Sequence, residues 1–177
     1  MNVDDILLMI LDAAPNGIPG KTSMQKIGYF CSVLLDYKLG YFAHYYGPYS
    51  KLVATNLQSL ADFDLIRKQN ILTGNLRKFT KYEINEDGKQ LIDEIKSRYS
   101  RQYDVIKDIV KYSENEGMNY NILSYAAKVH YILDKEHRKI TEEEIVHLAN
   151  YYDWKLSESD IARARNLLES LDLVTFS

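Results

Sequence analysis

The sequence predicts a mainly α-helical protein that contains one small β-hairpin, and three observations support this class. Apolar residues recur every three or four positions along most of the 177 residues, as they do in amphipathic helices. Two runs rich in β-favouring residues, 65–71 and 78–84, lie on either side of a Thr-Gly-Asn turn, a pattern typical of hairpins. The hairpin directly follows the third predicted helix. This order of helices, strand and two-stranded ribbon is that of a winged helix-turn-helix.

The first two helices are delimited by capping residues and a turn cluster. Residues 3–14 form the first predicted helix, because Asn2 can cap it and its apolar positions repeat at helical spacing. The Pro- and Gly-containing stretch at 15–20 ends it. A second helix begins near Thr22, which, like Ser23, has a hydroxyl that could cap it.

A third helix is predicted after an aromatic segment. Gly40 ends the second helix, and residues 41–46 are aromatic and strand-like. A Gly-Pro turn follows, and Ser50 is a suitable N-cap for a helix that runs to about Ala61. The inward stripe of this helix consists of Val53, Leu57 and Leu60, and its outward side of Lys51, Ala54, Thr55, Gln58 and Asp62.

The remainder of the chain is predicted to be helical. Residues 86–111 form one long amphipathic helix, and a further helix covers 122–134. Capping patterns at 141–144 and 157–160 begin two more helices, which run to about residues 151 and 171. The predicted division is a winged helix-turn-helix domain (1–84), a connecting long helix (85–112) and a C-terminal helical unit (113–177).

The C-terminal end repeats a pattern from the N-terminal half. Residues 57–68 and 167–176 share a helix end, an acidic turn and an apolar strand start, with residues 173–176 as the second strand. The C-terminal unit could therefore be a second helix-turn-helix with a truncated wing. The other interpretation is that helix-to-strand exits in small α domains often look alike.

Two motifs lie in the N-terminal half, KTSMQKIGYF at 21–30 and YGPYS at 46–50. Together they resemble the pattern T-x-[LM]-Q-K-[LI]-x-Y-[LF] followed by Y-G-P-Y-S of YwgA-like prokaryotic proteins. The Panacea (SocA-like antitoxin) domain has a related pattern. The resemblance implies a helical, winged-helix-like domain found in uncharacterised proteins, antitoxins and adaptors, and it implies no single chemistry. Met24 and Gly28 depart from the residues usual at their positions.

Composition indicates an ordinary globular protein of a reducing compartment. Hydrophobic residues make up 46% and charged residues 27% of the chain. The single cysteine, Cys31, cannot form an intramolecular disulfide, which fits the cytoplasm. The N-terminus has no basic signal-peptide region, and no apolar run approaches the 18 or more residues of a membrane-spanning helix. We therefore expect a cytoplasmic protein with no membrane association.

The charge is distributed unevenly. Residues 21–81 contain nine basic and three acidic side chains, a net of +6, whereas the whole chain has a net charge of −3, so the remainder has −9. A basic segment of this kind indicates a surface for a polyanion, although a solvated basic face is the alternative. Double-stranded DNA is the predicted partner, contacted by Lys21, Lys26, Ser50, Lys51, Thr55, Gln58, Arg67, Lys68, Arg77, Lys78 and Lys81.

A protein partner is the alternative to DNA. The 15 tyrosines cluster most densely at 41–49, and Tyr45, Tyr46 and Tyr49 are the residues expected to contact a partner, such as a toxin, in an antitoxin-like or adaptor module. The long helix could also form a homodimer, because its apolar stripe is longer than one small domain can cover.

The sequence predicts no enzyme, cofactor or metal site. The four histidines are scattered without metal-ligand spacing, and Cys31 with His44 is more simply interpreted as a packed core cysteine beside an unrelated histidine. Gly20-Lys21-Thr22 lacks the spacing of a P-loop, so we interpret it as a turn and helix start. Catalytic residues, cofactor ligands and metal ligands are therefore all predicted to be absent.

Overall fold

The computed structural model describes residues 1–72 and 78–174, and its fold is mainly α-helical, as predicted, with a small three-stranded sheet that contains the predicted hairpin. In chain order the elements are α1 (Val3–Ala13), β1 (Ile18–Pro19), α2 (Gly20–Leu34), α3 (Lys51–Asp62), β2 (Ile66–Leu72), β3 (Lys78–Ile84), α4 (Glu86–Arg98), α5 (Ser100–Asn115), α6 (Tyr120–Glu136), α7 (Glu142–Ala149), a short 3-10 turn (Asn150–Tyr152) and α8 (Glu158–Ser170).

The central helix of the N-terminal half is α1, which packs against α2, α3, α4, α5 and β3. The predicted cap by Asn2 is confirmed, and Asn2 and Asp5 form a capping box. The Asn2 side chain accepts from the backbone N–H of Asp5 at 2.8 Å, and the Asp5 carboxylate accepts from the backbone N–H of Asn2 at 2.7 Å. Such a box satisfies two amides that the first turn would otherwise leave unpaired.

The sheet has the strand order β1-β3-β2, with both pairs antiparallel. The predicted hairpin is confirmed, because β2 and β3 pair from Ile66 opposite Ile84 to Leu72 opposite Lys78. The predicted Thr-Gly-Asn turn lies outside the described residues. The turn predicted at 15–20 also contains β1, whose two residues pair with Tyr82 and Lys81. An edge position explains why a proline is tolerated in β1.

The predicted strand at 41–46 is wrong. Phe42 and Tyr49 form a single antiparallel bridge, and no other residue of this loop pairs in a strand. The chain turns between them, where the N–H of Gly47 bonds to the carbonyl of His44 at 2.8 Å. Aromatic residues favour strands where a neighbouring strand can pack against them, and this loop pairs only with itself.

The predicted hydroxyl caps of α2 are also wrong. The helix begins at Gly20, two residues earlier than predicted, with Pro19 as an N-cap that makes no side-chain hydrogen bond. Thr22 and Ser23 are therefore inside the first turn, and Ser23 is fully buried. Pairing of β1 with β3 fixes the chain just before Gly20, and this long-range contact sets where the helix starts.

The segment predicted as one long helix is two helices. Tyr99, with φ −126° and ψ 42°, separates α4 from α5, and both helices pack against α1. The break lets each half present its apolar side inward, so Ile92, Ile106 and Val110 are buried. Contacts with α1, α2 and α8 cover much of the apolar stripe within the chain, but Leu91 stays 44% exposed, and the predicted homodimer stays a prediction.

The C-terminal helices share one continuous hydrophobic core with the rest of the molecule, because α6 packs against both α2 and α8. The predicted capping boxes are confirmed at Thr141, which begins α7, and at Ser157, which begins α8. Leu173 and Val174 are not in a strand, and the rest of the predicted strand lies outside the described residues. Within residues 1–72 and 78–174, no helix is both long and apolar enough to cross a membrane.

Candidate nucleic-acid interface and the adjoining loop

The α3 helix has one buried and one exposed side, as predicted. Val53, Leu57 and Leu60 are at most 4% exposed and pack toward α1 and α2. Lys51 and Thr55, on the opposite side, are exposed. The helix therefore presents polar side chains to solvent directly beside the hairpin that follows it.

Three hairpin cations are held by neighbouring side chains. Arg67 and Lys81 both form ion pairs with Glu83, at 2.9 Å and 2.5 Å. Lys68 donates a hydrogen bond to the side-chain oxygen of Gln58, and the side-chain nitrogen of Gln58 donates to the Asp62 carboxylate at 2.6 Å. The hairpin is basic, but Glu83 offsets part of its charge.

Lys78 is exposed at the start of β3, and Arg77 lies outside the described residues. Lys21 is exposed in the first turn of α2. The Lys21 side chain lines a hollow of about 60 Å³ that lies between α2, α3 and the sheet. The hollow is lined by Lys21, Gln25, Tyr49, Ala54, Leu57, Gln58, Lys68 and Tyr82. The fold therefore brings together Lys21, Gln58 and Lys68.

Two residues of the predicted surface are buried. Ser50 is fully buried, and its hydroxyl donates to the Leu39 carbonyl at 2.5 Å and accepts from the Val53 N–H at 3.1 Å. Lys26 is 2% exposed, and its ammonium donates to the carbonyl oxygen of Pro48 at 2.7 Å. The motif around Lys26 turns its side chain toward the loop, so neither residue can contact a ligand at the surface.

Lys26 lies beside a second buried lysine, Lys128 of α6, which is 9% exposed. Both side chains lie close to the backbone of Gly47. If Gly47 were replaced by a residue with a Cβ, that Cβ would lie 3.3 Å from the Lys26 nitrogen and 3.1 Å from Cγ of Lys128. Within the described part of the chain, neither lysine forms an ion pair with a carboxylate. Burial and the neighbouring Lys128 lower the pKa of Lys26 to about 7.

The loop between α2 and α3 is held by side chains from both halves of the protein. The Gln25 amide donates to the Ser50 carbonyl and accepts from the Ser50 N–H, both at 2.9 Å. The Trp154 indole donates to the His44 carbonyl at 2.6 Å, and Lys128 lies over the Trp154 ring at 5.8 Å. The bonds of Gln25 and Lys26 to Ser50 and Pro48 therefore connect the two sequence motifs in space.

The tip of this loop exposes aromatic side chains. Tyr45 is 67% and Tyr46 64% exposed, and their ring centroids are 4.8 Å apart in an edge-to-face arrangement. Tyr49 differs from them: it is half-buried, with its ring 5.9 Å from Phe42 and 5.0 Å from His44. Tyr45 and Tyr46 are therefore available to a partner, whereas Tyr49 supports the loop.

Cys31 is fully buried, and this burial raises the pKa of its thiol far above the usual range. A thiol in this state is not a nucleophile at neutral pH. Within the described residues, no three His, Cys, Asp or Glu side chains lie close enough together to hold a metal ion.

Sequence reasoning missed Lys128 and Trp154. Lys128 stands in the largely apolar run YAAKVHYIL, and a charged residue on the inward side of such a helix is a signal that could have been noticed. Trp154 follows a short turn and has no comparable local signal. Both contact a loop more than 80 residues away in the sequence, as the separation of 110 between Trp154 and His44 illustrates.

The fold and this surface together define a mainly helical protein with a winged helix in its N-terminal half. A scan of protein-family models finds none that matches the chain, and a search of curated proteins also finds no match. The resemblance to YwgA-like and Panacea proteins therefore stays a prediction based on the two motifs.

Proposed function

We propose that this chain is a cytoplasmic, non-catalytic regulatory protein that binds double-stranded DNA through α3 and the hairpin. The observation that supports this function most directly is the convergence of Lys21, Gln58 and Lys68 at one hollow. These side chains come from three different elements, the first turn of α2, the outward side of α3 and the hairpin.

The proposed contacts divide into two kinds. Lysines at the surface would neutralise phosphates, which supplies affinity that depends on salt but not on sequence. Thr55 and Gln58 on α3 would face base edges, and glutamine can form two hydrogen bonds with adenine. Gln58 would have to exchange its present bonds with Lys68 and Asp62 for such a contact.

The test is the fluorescence anisotropy of a labelled random duplex, measured over a series of salt concentrations. We expect binding at about 50 mM salt that weakens steeply as salt increases. Replacing both Lys51 and Lys78 with alanine should reduce the slope of log K against log salt by about 2, because each lysine neutralises about one phosphate. Lys107→Ala plus Lys111→Ala, on the exposed side of α5, is the matched control.

Absence of binding by the unmodified protein at about 50 mM salt would rule out this function, because non-specific affinity is largest there. An equal loss of slope in the α5 control would show that net charge, and not this surface, governs binding.

A protein partner is a second candidate, favoured by the exposed Tyr45 and Tyr46 pair. Exposed adjacent aromatic rings on a loop held by several hydrogen bonds are typical of interface anchors, since little flexibility is lost when they are buried. Such a contact would fit an antitoxin-like or adaptor module. It does not require the hairpin lysines.

The two candidates are separated by matched double variants in a cross-linked capture experiment. Tyr45→Ser plus Tyr46→Ser should lose a captured protein that Tyr120→Ser plus Tyr151→Ser retains, because the latter pair is also exposed but lies on the C-terminal helices. Equal capture by both variants would exclude this loop as the interface.

A further inference from the structure

Two adjoining hollows lie over the first turns of α2. The first is the hollow of about 60 Å³ already described, and the second, of about 180 Å³, is lined by Lys21, Thr22, Gln25, Lys26, His44, Tyr46, Gly47 and Tyr49. Lys21, Gln25 and Tyr49 line both. We call the combined space the α2 cleft. A water needs only about 10–15 Å³ of such space, so the cleft has room for a larger group.

Tyr82, one of the residues that line the smaller hollow, carries a buried hydroxyl. Tyr82 is fully buried, and within the described residues its hydroxyl has no hydrogen-bond partner. Leaving a buried hydroxyl unpaired costs about 1–3 kcal/mol, so native structures rarely do so. Burial also raises the pKa of Tyr82, which keeps the hydroxyl protonated and able to donate.

The start of α2 adds further donors. No side chain of the described residues caps this helix, whose N-cap is Pro19, and Lys21 and Thr22 of its first turn line the cleft. The first four N–H groups of a helix have no partner inside it and bear partial positive charge. This end of α2 therefore favours a negatively charged group.

Full positive charges reinforce this preference. Lys21 and Lys68 line the smaller hollow, and Lys26 lines the larger one. Lys26 contributes less than the other two, because burial lowers its pKa to about 7 and its ammonium already donates to the Pro48 carbonyl.

We propose that the α2 cleft binds a small oxyanion, either a phosphate or a carboxylate group, with the Tyr82 hydroxyl and the ammonium of Lys21 or Lys68 as donors. The oxyanion could belong to a free small molecule or to the backbone of a nucleic acid. The first source does not depend on the proposed DNA-binding function. The second deepens that function, because it places one DNA phosphate between α2, α3 and the hairpin.

The test measures binding of inorganic phosphate and of succinate to the purified protein by titration calorimetry, with thermal unfolding as a second readout. Tyr82→Phe removes only the unpaired hydroxyl, so we expect it to fold at least as stably as the unmodified protein. Its affinity for the anion should fall by about ten- to a hundredfold, the usual loss when a hydrogen bond to a charged group is removed. Tyr120→Phe, on the exposed start of α6, is the matched control.

A second pair of variants tests the charges. Lys21→Met should weaken anion binding, whereas Lys111→Met, exposed on α5, should not. If neither phosphate nor succinate binds the unmodified protein at up to about 50 mM, a free anion is excluded as the ligand. If Tyr82→Phe and Tyr120→Phe bind the anion equally well, the cleft is not the site.

Duplex DNA distinguishes the two sources. If the bound oxyanion is a DNA phosphate, phosphate should compete with the duplex, and Tyr82→Phe should weaken DNA binding. If DNA binding is unaffected by Tyr82→Phe while anion binding is lost, the ligand is a small molecule. If Tyr82→Phe changes neither kind of binding, the proposal is overturned, whether or not the protein binds DNA.

Discussion

The lysines of the hairpin and those beneath the loop between α2 and α3 lie in opposite surroundings. Lys81 on the hairpin pairs with Glu83, and Lys68 is bonded to Gln58. Lys26 and Lys128 are buried beside each other against Gly47, and within the described residues neither forms an ion pair, although the Asp160 carboxylate acts on Lys128 from farther away. The hairpin lysines are near water and bonded to neighbouring side chains, whereas the two lysines beneath the loop are buried without an ion-paired carboxylate.

A basic segment of the sequence therefore need not form a basic surface, because Lys26 belongs to such a segment and is buried. Exposed pairs typically contribute 0–1 kcal/mol to stability, whereas a buried charge alters both the stability of the fold and its dependence on pH. Substitutions beneath the loop should therefore have larger effects on stability than substitutions on the hairpin. Four predictions test this expectation, beginning with the largest effect.

Gly47→Ala should destabilise the protein most. Gly47 has φ +101°, a conformation that residues with a Cβ rarely adopt, and the new Cβ would lie 3.1 Å from Lys128. We expect a loss of about 3 kcal/mol in the free energy of unfolding, measured by urea denaturation. Gly40→Ala is the control, because Gly40 also has a positive φ of +65° but its Cβ would meet no atom within 4 Å.

The Gly40 variant should lose only about 1 kcal/mol. If the two variants were equally destabilised, backbone conformation alone would explain the cost. The close contact between the loop and the lysines would then contribute nothing.

Ser50→Ala should cost about 2 kcal/mol in the same measurement. It leaves the Leu39 carbonyl and the Val53 N–H without their bonds to Ser50 in a buried position. Ser157→Ala removes an equivalent N-cap at the exposed start of α8 and should cost about 1 kcal/mol. A smaller loss for Ser50 than for Ser157 would contradict the view that burial magnifies effects in the loop region.

Lys26→Met should change how stability depends on pH. Because the pKa of Lys26 is about 7 in the folded protein and about 10.4 when unfolded, the unfolded state binds more protons between these values. The free energy of unfolding therefore rises with pH in that window, by at most about 1.4 kcal/mol per pH unit. Urea denaturation from pH 7 to 9 should show that the Met variant lacks this contribution.

Burial lowers the pKa of Lys128 as well, and the Lys26 variant should keep whatever slope Lys128 contributes. Lys51→Met, at an exposed position on α3, should leave the slope unchanged. An identical pH dependence of the Lys26 variant and the unmodified protein would show that Lys26 titrates normally.

Features that depend on residues close together in the chain could be predicted from the sequence. The caps at Asn2, Thr141 and Ser157 were predictable, since each depends on a residue three positions later. The hairpin was predictable because its strands are neighbours in the chain. The predicted surface was only partly right: Lys51 and Thr55 are exposed because helical periodicity is local.

The features that could not be predicted depend on contacts between residues that are far apart in the sequence. Lys26 is buried because its ammonium reaches the Pro48 carbonyl 22 residues later, and because α6 packs against α2 and its Lys128 reaches Gly47 of the loop. The strand predicted at 41–46 lacks a neighbouring strand, which no local pattern reveals. The break at Tyr99 similarly follows from the packing of both α4 and α5 against α1.

The smallest change in stability is expected on the hairpin. Glu83 accepts from both Arg67 and Lys81, and these contacts lower the pKa of the Glu83 carboxyl. Glu83→Gln should reduce the free energy of unfolding by less than about 1 kcal/mol, since Arg67 is largely exposed and water replaces its lost partner.

The same variant should strengthen binding to duplex DNA, if the proposed function is correct, because it removes a negative charge and frees two cations. The slope of log K against log salt should steepen by about 1–2. Glu86→Gln is the control, because Glu86 pairs only loosely with Lys89, at 3.5 Å, beside the hairpin. Tighter DNA binding with nearly unchanged stability would separate the surface charges from the buried ones. A large loss of stability would instead show that Glu83 anchors the sheet, and that the hairpin and the loop differ less than their exposure indicates.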